Sequence, residues 1–99
     1  MKKHFFDDVE KAIVLYEKAN GYAASRTRQM IADHGAIKAL SILMVSPDLQ
    51  QGFKVLWDSK QLDKTFESIV VKFQHLFESD VVEAAQWRLA HPYELFLTY

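Results

Sequence analysis

Asn20-Gly21, Gly35, Ser46-Pro47-Asp48 and Pro92 cut this chain into short segments, and within each segment apolar residues return every three or four positions. That interval is the period of an α-helix, not the two-residue alternation of a half-buried strand. Glycine after an apolar run closes a helix through the left-handed conformation. Serine followed by proline and aspartate opens one. A proline ends one, because the residue before it avoids helical geometry. The breaks and the period agree, so the chain reads as all-α.

The first helix is expected over 7–20, with Asp7 or Asp8 as N-cap and Val9, Ala12, Ile13, Tyr16 and Ala19 as its inner stripe. The second, over 22–34, gathers Ala23, Ala24, Thr27, Met30 and Ile31 within one third of its circumference. Arg26 and Arg28 then fall about 100° to either side of that stripe. They flank the buried seam, with stems that cover apolar surface, and do not form a two-pronged clamp. The third helix, 36–45, is apolar nearly all round and is expected to be the most buried. A fourth, from Pro47 to about residue 59, directs Leu49, Phe53, Leu56 and Trp57 inward, and its Gly52 suits close approach of a neighbouring backbone.

Asp63 is the expected N-cap of a fifth helix whose inner stripe is Phe66, Ile69, Val70 and Phe73. The β-branched "SIVV" within it would also suit a short buried strand, but the chain offers no partner strand. The segment "FQHLFESD" reads equally as continued helix or as turn. Ser79 caps the last helix, with Val81, Val82, Ala85 and Leu89 inside. Five to six short helices with brief connections imply one irregular bundle, a single domain over 1–99. The supply of core is ample, at 49% hydrophobic and 13% aromatic residues.

Several function classes are disfavoured. There is no cysteine, which excludes disulfides, thiol nucleophiles and cysteine-ligated zinc. Acidic residues interrupt the N-terminal apolar run, so no secretory signal is read, and no apolar stretch approaches the ~20 residues of a membrane span. A soluble cytoplasmic protein is expected. His4, His34, His75 and His91 never fall three or four apart, and no nucleotide-binding or nucleophile-elbow motif occurs. No cofactor and no metal are expected. Net charge is −1, with six Lys/Arg against four Asp/Glu in residues 1–30 and three against six in 61–99. That is less concentrated basic charge than nucleic-acid binders usually carry.

Three groups remain as candidates. Arg26 either offers its fork to a carboxylate or phosphate on a partner, or pairs with an acid of the Asp63–Glu67 turn and fixes two helices; the internal pairing is favoured. Asp58, Asp63, Thr65 and Glu67 read as an N-cap with solvated charges in preference to a small acidic site. Phe5, Phe6, Tyr93, Phe96 and Tyr99 are too many large apolar groups for frayed ends. They pack the termini on one another or build a self-association surface, with the second reading favoured.

The order "GY…SR…MI…HGAIKAL", "SP…GF…LW", "LD-T-ES-IV", "LF" and "EA…RL" resembles a small, poorly characterised all-helical bacterial module, found alone or appended to restriction- and defence-type proteins. The resemblance spans about residues 21–89. It is carried by Gly21, Tyr22, Ser25, Arg26, Met30, Gly35, Gly52, Phe53, Leu56, Trp57, Leu62, Asp63, Thr65, Glu67, Leu76, Phe77, Ala85, Arg88 and Leu89. It implies no enzymatic activity, and it suggests that Arg26, Trp57, Asp63 and Glu67 form one cluster. Thr27-Arg28 and the aromatic tail depart from it. The favoured function is a non-enzymatic protein-interaction module that self-associates. An accessory nucleic-acid-binding protein using Lys2, Lys3, Lys11, Arg26, Arg28 and Lys38 is the second reading, and a small enzyme the third.

Overall fold

A computed structural model describes residues 2–45 and 64–91. They form five α-helices: α1 (Lys2–Asn20), α2 (Ser25–His34), α3 (Ala36–Val45), α4 (Phe66–Lys72) and α5 (Ser79–Ala90). A 3-10 turn at Gln74–Leu76 joins the last two, and no strand occurs among the described residues. The fold is therefore an all-α bundle. The helix expected over 47–59 lies outside the described residues, and so do Trp57, Asp63, Tyr93, Phe96 and Tyr99.

α1 begins five residues before the acidic signal at Asp7. The cause is Phe5, which sits one turn ahead of Val9 on the same stripe. Its ring is wholly buried, edge-on to Phe73 and Phe77 with centroids 5.5 and 5.8 Å away. Burying a phenylalanine stabilises by about 1.5–3 kcal/mol, more than the ~1 kcal/mol typical of a capping side chain. Phe5 is consequently a core residue and does not belong to a self-association surface.

α3 supplies the centre, with Ala39 and Leu40 fully buried and Leu43 and Met44 beside them. α2 and α5 pack against it, α4 lies on α5, and α1 lies on α4. Val9, Ala12 and Ile13 meet Ile69, Val70, Val81, Val82 and Ala85 in the same apolar cluster. The two expected glycine stops are present: Gly21 and Gly35 have φ of +83° and +84°, and their N–H groups close onto Glu17 O and Ile31 O at 2.8 Å.

Other boundaries moved for local reasons. α2 starts at Ser25, because the Ala24 N–H is taken by the Glu17 carboxylate at 2.7 Å and the link 21–24 stays open. "SIVV" is helical, and the N-cap of α4 is Thr65 instead of Asp63: the Thr65 hydroxyl accepts from Ser68 N at 3.2 Å. Ser79 is the first residue of α5 and not its cap. Glu78 holds that position in extended geometry, while Asp80 Oδ1 accepts from Val81 N at 2.9 Å.

Candidate functional site

The two arginines of α2 have separate fates. Arg28 lies between two turns of α1: its Nε and Nη2 donate to the two oxygens of Glu17 at 3.0 and 2.8 Å, and its Nη1 reaches both oxygens of Glu10 at 3.1 and 3.2 Å. No side chain of α2 is fully buried, so this clamp and the half-buried Met30 and Ile31 hold the helix down. Arg28 donation, aided by the Ala24 N–H, lowers the Glu17 pKa from 4.5 to about 2.

A lowered carboxylate pKa stabilises the fold above the unfolded value and loses that contribution as pH falls through the folded one. The stability difference between wild type and Arg28→Met should thus be full above about pH 4.5 and shrink towards pH 2. Urea midpoints measured across that interval check it; a constant difference would show that the clamp's charge contributes nothing.

Arg26 is exposed and has no hydrogen-bond or ion-pair partner among the described residues. The internal pairing expected with the Asp63–Glu67 turn does not form through Glu67. That carboxylate is 1% exposed, and Arg88 Nη1 approaches its Oε2 at 3.1 Å. Arg88, itself 6% exposed, also donates to Leu43 O at 3.4 Å, so one guanidinium ties α5 to α4 and α3. Glu67 is therefore a buried structural group and not a solvated charge, and it forms no cluster with Arg26. Burial pushes its pKa up against the opposing pull of Arg88. Sequence reading gave Arg88 a place in the resemblance but no partner, although it lies seven residues after Val81 and three after Ala85, on the apolar stripe of its own helix.

The exposed apolar side chains point to a different surface. Lys38, Ser41, Ile42 and Val45 follow one another at helical spacing along the outer face of α3. Ile42 is 36% and Val45 60% exposed. The Ser41 hydroxyl is turned back to donate to Ile37 O at 2.8 Å, which leaves little polarity on this strip. Its N-terminal half forms one wall of a cleft of about 470 Å³. Phe6, Ile37 and Leu76 are the apolar lining, while His34, Lys38 and Glu78 stand around it. Phe6 is 48% exposed. Adjacent phenylalanines, about 100° apart on α1, thus serve different faces, one inward and one towards this cleft.

A second groove of about 570 Å³ runs between α1 and α4, lined by the half-buried Val14 and Leu15 with the buried Ile69 at its base, and with Lys11, Lys64 and Lys72 around it. Its acids are engaged: Lys72 Nζ meets Asp8 Oδ2 at 2.8 Å, and Glu10 belongs to the Arg28 clamp. The basic residues of the nucleic-acid reading are dispersed. Lys11 lines this groove, Lys38 lines the other, and Arg28 is bound to two glutamates.

Among the described residues no group of three or more His, Asp or Glu side chains could hold a metal ion, and no helix is long and apolar enough to cross a membrane. His91 stacks on Trp87 with centroids 4.6 Å apart, its Nδ1 2.8 Å from Trp87 O, so this pair caps the end of α5. Comparisons of the chain with protein-family models, with curated proteins and with solved structures find no match.

Proposed function

We propose that the protein is a non-enzymatic interaction module that associates with itself through the outer face of α3. The observation that carries this reading is the run of Ile42 and Val45, exposed at helical spacing beside a cleft to which Phe6 contributes a half-exposed ring. A small domain gains by covering such a surface, since each large aliphatic side chain removed from water stabilises an interface by about 1.5–3 kcal/mol. Arg26 supplies a fork of donors for a carboxylate on a further protein partner. A bacterial mobile-element or defence setting rests on the distributed sequence resemblance alone.

Light scattering and sedimentation over a range of concentrations test the reading. Wild type should dimerise. Val45→Glu should weaken association by at least the ~10- to 150-fold that corresponds to the lost burial, with its helical circular dichroism unchanged. A wild type that remains monomeric at every concentration overturns self-association.

A further inference from the structure

The face just described is complementary to itself, and resting on that reading we infer that the second copy docks about a two-fold axis with the two α3 helices antiparallel, Ser41 at the axis and Val45 of each protomer seated in its partner's cleft. In a two-fold interface the contact made by one patch is returned by the same patch of the partner. The face must therefore carry both a projection and a recess, placed symmetrically about a point that tolerates close approach. α3 satisfies all three conditions.

The projection is Val45, at the C-terminal end of the strip and 60% exposed. The recess is the 470 Å³ cleft towards the N-terminal end, which Ile37 and Lys38 line, Ser41 borders, and Phe6 and Leu76 complete. Ser41 lies midway between 38 and 45. It is small, and its hydroxyl is already committed to Ile37 O. A small residue without an outward hydrogen-bonding need lets two helices approach to the short end of the usual 8–10 Å interaxial range.

Running the helices antiparallel about that point brings residue 45 of one copy opposite residues 37–38 of the other. That is where the cleft opens. Charge agrees with the same arrangement. Lys38 is exposed and has no ion-pair partner among the described residues, and the antiparallel copy keeps the two Lys38 charges apart at opposite ends of the contact. A parallel pairing would place Lys38 beside the partner's Lys38 and Val45 beside the partner's Val45, leaving both clefts open.

The chain contains no cysteine, so introduced thiols report this geometry without background. In Ser41→Cys the two sulfurs meet across the axis, within the short Cα separation a disulfide requires. Under a copper–phenanthroline oxidant this variant should form a disulfide-linked dimer. At micromolar protein the linkage should run roughly a hundredfold faster than for Tyr22→Cys, because docking raises the effective thiol concentration to the millimolar range. In the double variant Lys38→Cys, Val45→Cys, links should join position 38 of one chain to position 45 of the other, located by mass spectrometry of the digest. Neither single variant should link to itself.

Sedimentation of the untreated wild type separates the two ways of failing. A monomer at all concentrations removes the self-association reading and this geometry with it. A dimer in which Ser41→Cys links no faster than Tyr22→Cys, or in which Val45→Cys links to itself, keeps self-association and overturns the antiparallel arrangement. Circular dichroism of each cysteine variant verifies the fold, and the double variant supplies an independent readout should Ser41→Cys fail to fold.

Discussion

Replacing Arg88 with methionine should destabilise the fold by about 3–5 kcal/mol at neutral pH, seen as a fall in the urea midpoint. The cause is the carboxylate left behind. Glu67 is 1% exposed, and Arg88 is the cation that compensates it. Removing one partner of a buried pair strands the other charge, whereas replacing both with apolar groups of similar volume is often neutral. Glu67→Leu combined with Arg88→Met should therefore recover most of the loss. Equal losses in the single and double variants would mean that the contact with Leu43 O and the side-chain stem matter more than the charge.

The penalty should also depend on pH, with a definite sign. Burial already raises the Glu67 pKa above 4.5, and loss of Arg88 raises it further. A carboxyl whose folded pKa exceeds its unfolded value stabilises the fold at low pH and loses that contribution as pH rises through the folded value. The gap between wild type and Arg88→Met should widen as pH rises from the ordinary carboxylate range towards neutrality. This runs opposite to the Arg28–Glu17 clamp, whose contribution disappears in acid. The two ion pairs are thus distinguishable by pH alone.

Phe5→Ala should cost about 3–5 kcal/mol, the usual loss for an aromatic removed from a packed interior. For a domain of this length each kcal/mol lowers the melting temperature by roughly 4–8 °C. Phe6→Ala, by contrast, removes a ring that is 48% exposed and should change stability by well under ~1 kcal/mol in the monomer. Its effect should appear in association instead. Thermal melts at low concentration, paired with light scattering at high concentration, check both residues. Similar melting losses at the two positions would contradict the inward and outward assignment.

How much of this was legible beforehand differs from element to element. The ends of α1 and α2 could be read because Gly21 and Gly35 occupy φ near +83°, where side-chain-bearing residues are strained. The inner stripes of α4 and α5 could be read because burial follows a fixed angular period, whereas α3, apolar nearly all round, gave no sign that Ile42 and Val45 would face water. The start of α1 could not, since a capping preference at Asp7 is weaker than the packing of Phe5 against Phe73 and Phe77 from a distant part of the chain. For Arg28 the helical period predicts a place flanking an apolar seam, and it gives no partner for the guanidinium. The glutamates that hold it lie 11 and 18 residues away, on another helix.

The buried pair shows why Glu67 does not join Arg26. The resemblance suggests a set of Arg26, Trp57, Asp63 and Glu67, but Glu67 pairs with Arg88, because charge pairing inside a bundle is settled by which helices touch. The available signal was local: an arginine at position 88 and a glutamate at 67 each interrupt an apolar stripe, and a charge on a buried stripe requires a partner of opposite sign.

The amino-acid order alone determined helical class, where α1 and α2 end, and the inward faces of α4 and α5, because propensity, capping and period act over only a few residues. Tertiary structure decided which charges became buried and paired, which of two neighbouring phenylalanines entered the core, and which face of α3 was left in water. Those outcomes depend on contacts between segments far apart in the chain, and no local period encodes them.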